Sequence, residues 1–230
     1  MRVGSLFAGI GGFDLGLERA GMSVAWQSEI DPYASAVLKK HWPDVPNLGD
    51  IREVSSVPPV DVVCGGWPCQ TFSSAARGRN NHPDMWPEFL RVVRLARPRW
   101  VIAENVPESL HGFDRIQGDL LAAGYVCDAL EVDTALPERQ RARRRAVYLA
   151  HAYRDGESLR AFYEEAPGIR PAPIGASDPY PGTVGMADGI SSRVDRIRCL
   201  GNAIVPQIAE IIGRAIVAAE LTPTNTGESR

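Results

Sequence analysis

A thiol, a carboxyl group and a run of guanidinium groups stand at strand-to-loop junctions of this sequence. Cys69 lies in Gly65-Gly66-Trp67-Pro68-Cys69-Gln70-Thr71-Phe72-Ser73, behind an apolar run and a glycine pair, with Pro68 fixing the backbone directly before it. A cysteine on such a loop serves as a nucleophile when a nearby positive group or helix N-terminus favours the thiolate. The commoner fate of a cysteine is a small buried core residue, and Cys64, inside the apolar run, is assigned to it. Glu104 ends the apolar stretch Trp100-Val101-Ile102-Ala103, which aims a carboxyl group from the same edge of a sheet. Half-buried beside apolar side chains, it is placed either to act as an acid or to cap the next helix. Five arginines fall within the seven positions 139–145. Alternation in an extended chain throws Arg141, Arg143 and Arg145 to one side, and guanidinium forks suit phosphate and carbonyl oxygens.

A second kind of chemistry is written near the start. Phe7-Ala8-Gly9-Ile10-Gly11-Gly12 separates a short apolar run, Arg2 to Leu6, from a helical pattern beginning at Phe13. Glycines at that junction let a ligand approach the backbone beside the first N–H groups of a helix. Glu29 and Asp31 sit at the end of the second expected strand, where a carboxylate can grip ribose hydroxyls. The glycine spacing departs from GxGxxG, so a nucleoside cofactor is favoured over hydride chemistry.

The elements that must position these groups alternate along the chain. Strands are expected at Arg2–Leu6, Ser23–Ser28, Val60–Val63, Trp100–Ala103, Tyr125–Val132 and Ala146–Ala150. Helices are expected at Phe13–Ala20, with Phe13, Leu15, Leu17 and Ala20 apolar, at Pro32–His41, at Asp84–Ala96 and near Ile116–Ala123. That order implies an α/β fold with a mostly parallel sheet. After His151 the texture loosens into a proline- and glycine-rich stretch, and helical spacing returns from Asn202 to Leu221.

Composition bounds the function class. With 230 residues, 44% hydrophobic, 23% charged and a net charge of −3, the chain is expected to fold, and no apolar run reaches membrane-spanning length. The opening MRVGSLFAGIGG turns to glycine too early for a secretory leader, so a soluble, cytoplasmic protein is expected. Four cysteines without a CxxC pair and four scattered histidines argue against a metal site. A pI near 5.8 means that any nucleic acid must be met by a local patch.

Taken together, these stretches resemble the cytosine-5 DNA methyltransferase family, with its motifs in order. FAGIGG at Phe7–Gly12 is similar to the family's first, cofactor-binding motif. GGWPCQTFS at Gly65–Ser73 resembles its catalytic loop, Glu104-Asn105-Val106 its sixth motif, and Gly201-Asn202-Ala203-Ile204-Val205-Pro206 its last. The resemblance implies a Rossmann-like class I S-adenosyl-L-methionine-dependent methyltransferase fold with a small loop-rich insert. It also implies methylation of carbon 5 of a cytosine in double-stranded DNA. In that chemistry Cys69 attacks carbon 6 of the flipped base while Glu104 serves ring nitrogen 3, and Arg143 and Arg145 complete the catalytic set. Phe7, Gly9 and Gly11 are expected to line the cofactor, Glu29 to hold its ribose, Ile30 to pack on its adenine and Asp50 to meet the adenine amino group. Met85, Asn202 and Val205 are expected to close the same site, and Gln70, Ser73 and Arg141 to meet the DNA.

Departures from the family pattern fall outside the first two motifs. Its eighth motif is a glutamine with arginines two and four positions later, a spacing that from Gln140 lands on Ala142 and Arg144. Registering on the strand Ala146–Ala150 instead makes Arg143 and Arg145 the pair, with Arg141 in the glutamine's place. The recognition region between the eighth and last motifs is short. The expected organisation is a catalytic and cofactor-binding part at 1–150, a reduced recognition region at 151–192, a returning C-terminal segment at 193–221 and a flexible tail at 222–230. So short a region implies a base-reading surface that is small, nearly absent or borrowed from a partner chain, and a companion restriction endonuclease is the other partner the resemblance implies. The alternatives are methylation of RNA and a weakly active, cofactor-binding regulatory protein.

Overall fold

The computed structural model describes residues 1–68, 83–133, 144–152, 159, 162–164 and 204–221. Cys69, Gln70, Ser73, Arg141, Arg143 and Asn202, the tail from 222 and nearly all of the 151–192 region lie outside the described residues.

Six strands form one sheet: β1 (Arg2–Leu6), β2 (Ser23–Ser28), β3 (Val62–Gly66), β4 (Trp100–Asn105), β5 (Tyr125–Asp133) and β6 (Arg144–Ala152), in the spatial order β2-β1-β3-β4-β6-β5. β1, β2, β3 and β4 pair in parallel, and β6 runs antiparallel to both β4 and β5. The central parallel strands β3 and β4 are buried along nearly their whole length and open on apolar runs, Val62-Val63-Cys64 and Trp100 to Ala103. β3 and β4 extend further than their apolar residues predict, to Gly66 and Asn105, because the ladder pairs Gly65 with Ala103 and Gly66 with Glu104. The strand order reverses between β1 and β3, and in open α/β sheets ligands bind beyond the carboxyl ends of the strands at such a switch point.

Helices cover both faces. On one side α3 (Trp86–Ala96) and α4 (Phe113–Ala122) contribute Phe89, Val92, Val93, Ile116 and Leu120 to a core that includes Trp26 and Tyr148. On the other, α1 (Gly12–Arg19) and α5 (Pro206–Leu221) bury Phe13, Leu17, Ile212 and Ile216 against Val3, Val62, Ile102 and Leu149. α5 is also pinned at its middle and near its C-terminal end: Arg214 Nη2 donates to the Arg19 carbonyl at 3.2 Å, and Trp100 Nε1 donates to Glu220 Oε1 at 2.7 Å. α2 (Pro32–His41) starts at a proline, with Asp31 as its cap. No described helix is long and apolar enough to cross a membrane.

The apolar stripe of α1 differs from the sequence expectation. Leu15 is 37% exposed, whereas Asp14 is fully buried. Residues two apart in a helix point to nearly opposite sides, so Phe13 and Leu17 share the inner face and Leu15 does not. Asp14 enters the sheet instead. Its Oδ2 accepts from Ser5 Oγ of β1 at 3.0 Å, and its Oδ1 accepts from Gln27 Nε2 of β2 at 2.7 Å. Burial pushes the Asp14 carboxyl up to about 6, against the lowering effect of those two bonds.

That burial has a measurable consequence. Between the ordinary carboxyl value of 3.8 and about 6 the folded protein holds the Asp14 proton and the unfolded chain does not, so stability falls as pH rises through this window. The shift corresponds to a loss of about 3 kcal/mol. Asp14→Asn can keep both partners without the charge, its Oδ1 accepting from Gln27 Nε2 and its Nδ2 donating to Ser5 Oγ. It is expected to remove this pH dependence and to raise stability at pH 8 relative to wild type, as read by urea denaturation at pH 4 and pH 8. A stability difference between the two proteins that does not change with pH would contradict this.

Candidate functional site

The first loop of the site is shaped by its backbone. Phe7 (φ 48°), Gly9 (φ 57°) and Gly11 (φ 84°) all occupy the left-handed region. Glycine adopts it freely, while Phe7 is held there at a cost of about 1–3 kcal/mol. The turn is closed by Gly11 N donating to the Ala8 carbonyl at 2.9 Å and anchored by Ala8 N donating to the Ser28 carbonyl at 3.2 Å. α1 begins with Gly11 as its cap, and no side-chain cap covers its N-terminus, so the first N–H groups of the helix, Gly12 and Phe13, face the loop without a capping oxygen.

Glu29 braces the same loop. Its Oε2 accepts from Gly9 N at 2.8 Å and its Oε1 from Asp31 N at 2.7 Å, which holds the carboxylate across the mouth of the loop with lone pairs left over for ligand hydroxyls. Asp31 plays a different part from Glu29: its Oδ1 caps α2 by accepting from Ala34 N at 2.9 Å. Ile30, 64% exposed, presents an apolar surface between the two acids. Asp50 heads a short 3-10 turn (Ile51–Glu53) and is gripped by Arg52, whose Nε and Nη2 lie 2.9 and 2.5 Å from its two oxygens. The Arg52 guanidinium and backbone N–H hold the Asp50 carboxyl down at about 2, so it is charged at neutral pH.

Glu104 sits at the far end of the site. It is buried, on β4, and its Oε1 lies 2.7 Å from Arg145 Nε. The ladder explains the pairing. Val147 faces Glu104 directly, so Arg145, two residues before it on β6, shares the face of Glu104. By the same alternation Arg144 turns to the opposite face, where its Nη1 meets Glu131 Oε1 at 3.0 Å. The arginine run is thereby sorted, one guanidinium to the site and its neighbour to the flank. A side chain on Gly66 would come within 2.7 Å of Glu104 Oε2, so the end of β3 is bare where the carboxylate needs room.

The start of the Cys69 loop is fixed from below. Trp67 is buried against Trp86, Phe89 and Tyr148, with ring centroids 5.1, 6.3 and 5.6 Å away. Its carbonyl accepts from Asn105 Nδ2 at 3.2 Å. Asn105 thus ties the strand that carries Glu104 to the residue two positions before Cys69. Cys64 is buried, its thiol pushed well up by desolvation, as a core cysteine should be.

These groups surround one cavity of about 550 Å³. Phe7, Gly9, Glu29, Ile30, Asp50 and Met85 line it, and so do Pro68, Glu104 and Arg145. Two expected residues are placed differently. Gly11 turns away from the cavity towards Trp42, whose ring stands 2.4 Å from where a Cβ would project. Val205 does not line the cavity. Its neighbour Ile204 does, while the Val205 carbonyl accepts from Ile208 N at 2.9 Å at the start of α5.

The C-5 cytosine-specific DNA methylase family matches residues 1–165, most of the chain. The chain belongs to this family. The type II methyltransferase M2.BsuMI of Bacillus subtilis (strain 168) is 35% identical over 174 residues, 69% of this chain and 44% of that protein. The type II methyltransferase M.HgiCII of Herpetosiphon aurantiacus is 41% identical over 131 residues, 52% of this chain and 30% of that protein. The chain therefore spans less than half the length of these curated relatives. In fold it is similar to the S. pombe Dnmt2 methyltransferase, with a TM-score of 0.55 at 19% identity, over 68% of this chain and 52% of that one. The six-stranded sheet with one reversed strand is the Rossmann-like methyltransferase fold that the resemblance implies.

Membership of the C-5 cytosine-specific DNA methylase family gives the cavity a ligand to be tested against. S-adenosyl-L-methionine needs an acceptor for ribose hydroxyls, an apolar surface for adenine, an acceptor for the adenine amino group and an open backbone for its amino-acid part. Glu29, Ile30, Asp50 and the Gly9 turn, all lining the cavity, meet these requirements in turn, so the residues present fit the cofactor. Asp14, Asn47 and Arg52 are not marked as functional residues by any motif in the sequence. Asn47, in Pro46-Asn47-Leu48-Gly49, carried a turn signal; the other two are recognisable only by what they touch.

Proposed function

We propose that this chain transfers a methyl group from S-adenosyl-L-methionine to carbon 5 of a cytosine in double-stranded DNA. The observation that carries the reading is the cavity itself, which joins a Glu29-braced glycine turn to a buried Glu104–Arg145 pair. When bound, the cofactor supplies an electrophilic methyl group. Everything else is asked of the chain's own residues. Arg145 holds Glu104 with one oxygen turned into the pair, and Glu104 serves nitrogen 3 of the flipped base with a proton or hydrogen bond. The Cys69 thiolate forms a bond to carbon 6, and the displaced electron pair makes carbon 5 nucleophilic enough to take the methyl group. Loss of the carbon 5 proton to a base then returns electrons to the ring, expels the thiolate and restores aromaticity. Gln70, Ser73, Arg141 and Arg143 are assigned to the DNA and the base, and Asn202 to the cofactor side.

The base must leave its stack at a cost of a few kcal/mol, which contacts to flanking phosphates offset. Region 151–192 is assigned to recognition, and its shortness favours a partner chain that supplies part of the reading surface. The segment 193–221 is assigned to closing the cofactor site and 222–230 to a tail. A cytoplasmic setting beside a restriction endonuclease belongs to the same proposal.

The test is an acceptor competition with labelled S-adenosyl-L-methionine, offering mixed-sequence duplex DNA and transfer RNA together. Label in the duplex, recovered as 5-methylcytosine, supports the reading. Label confined to the RNA, or none in either acceptor while the cofactor binds, overturns it.

A further inference from the structure

Two carboxylate-bearing turns must keep a fixed separation if they are to hold one nucleoside between them, and a single exposed side chain joins them. Asn47 uses all four of its amide positions. Its Oδ1 accepts from Glu29 N at 3.0 Å and from Gly49 N at 3.1 Å. Its Nδ2 donates to the Glu29 carbonyl at 3.1 Å and to Ser35 Oγ at 3.1 Å. Both backbone polar groups of Glu29 are therefore held by the residue that also fixes the N–H directly before Asp50. Ser35 closes the frame by donating from Oγ to the same Glu29 carbonyl at 3.2 Å.

The backbone around Asn47 aligns it with the sheet edge. Gln27 N donates to the Pro46 carbonyl at 2.9 Å and Leu48 N to the Gln27 carbonyl at 2.7 Å, so residues 46–48 lie along β2 as a short extra rung. Ser28 Oγ donates to the Gly49 carbonyl at 2.8 Å, independently of Asn47. The turn thus keeps its attachment without the amide, and what the amide adds is the spacing and tilt of Glu29 against Asp50. Only a side chain with both donor and acceptor character can do this. An aspartate in its place lacks the donors, a leucine lacks both donors and acceptors, and a serine has one donor where Asn47 uses two.

We infer that Asn47 is a positioning residue for the cofactor's nucleoside, setting Glu29 and Asp50 at the separation that ribose and adenine require. This inference rests on the reading of the cavity as an S-adenosyl-L-methionine site. It assigns Asn47 no part in methyl transfer, so the consequence lies in cofactor affinity and is blind to whether the sulfur carries its methyl group.

The experiment uses the full chain and its Asn47→Ala variant, titrated calorimetrically with S-adenosyl-L-methionine and with S-adenosylhomocysteine. Asn47 is exposed, so the truncation opens no core cavity. The expected result is a rise in Kd of about tenfold, on the scale of one net hydrogen bond, equal for the two compounds and with one site per chain retained. In turnover, KM for the cofactor rises by the same factor while kcat at saturation stays within about twofold of wild type. An unchanged Kd overturns the inference, and so does a rise confined to one of the two compounds. Fewer sites at an unchanged Kd would mean that Asn47 serves folding alone, which also overturns it. Wild-type chain that binds neither compound overturns the reading of the cavity, and the inference falls with it.

Discussion

Glu104→Gln is expected to lower methyl transfer by about 10²- to 10⁴-fold, the usual contribution of a positioned acid or base, and to leave cofactor affinity within about twofold of wild type. The substitution is close to isosteric, and its side-chain oxygen can still accept from Arg145 Nε, which lies 2.7 Å from Glu104 Oε1. A glutamine amide cannot deliver a proton to nitrogen 3, so carbon 5 is not activated. Glu29 and the Gly9 turn follow β2 and β1, with β3 between them and the β4 that carries Glu104, and are untouched. Single-turnover methyl transfer beside a calorimetric Kd measures both quantities. Transfer retained within tenfold of wild type would remove Glu104 from the reaction.

The second large effect is on stability. Glu104 is 5% exposed, and Arg145→Met takes away the guanidinium that faces it. Breaking a buried pair from one side leaves a desolvated charge and costs about 3 kcal/mol or more. Removing the charge as well, in Arg145→Met with Glu104→Gln, is expected to recover most of that loss, because a neutral amide is far cheaper to bury. Urea denaturation of the two single variants and the double variant gives the coupling directly. Additive costs would mean that the pair is not coupled, and the account of how Glu104 is held would fail.

Much of this architecture is legible in the sequence because the deciding signals are local. A strand that runs into glycine and then into a helix announces the turn at Gly9, Glu104 stands out because it follows an unbroken apolar run, and Glu29 because it stands just past the end of the second strand. The arginine run also yields to a local rule. Strand alternation separates Arg144 from Arg145, and the structure adds only which glutamate lies opposite each. What stays hidden depends on contacts far apart in the chain. Asp14 reads as a polar residue on an amphipathic helix until Ser5 and Gln27 are seen on either side of it. Asn47 reads as a turn former until its amide is found on Glu29, 18 residues away. Gly11 reads in the sequence like its fellow glycines as a cofactor residue, yet the side of it that a Cβ would occupy belongs to Trp42, which no local pattern could indicate.

The central claim is that Cys69 forms a covalent bond to a cytosine in DNA, and one measurement meets it directly. The chain is incubated with S-adenosyl-L-methionine and a duplex containing 5-fluorocytosine, and the mixture is resolved on a denaturing gel. Fluorine cannot leave carbon 5 as a proton does, so the account predicts a stable protein–DNA adduct, dependent on the cofactor and absent from Cys69→Ser. No adduct on any duplex while the cofactor binds, or an adduct that survives in Cys69→Ser, would contradict it.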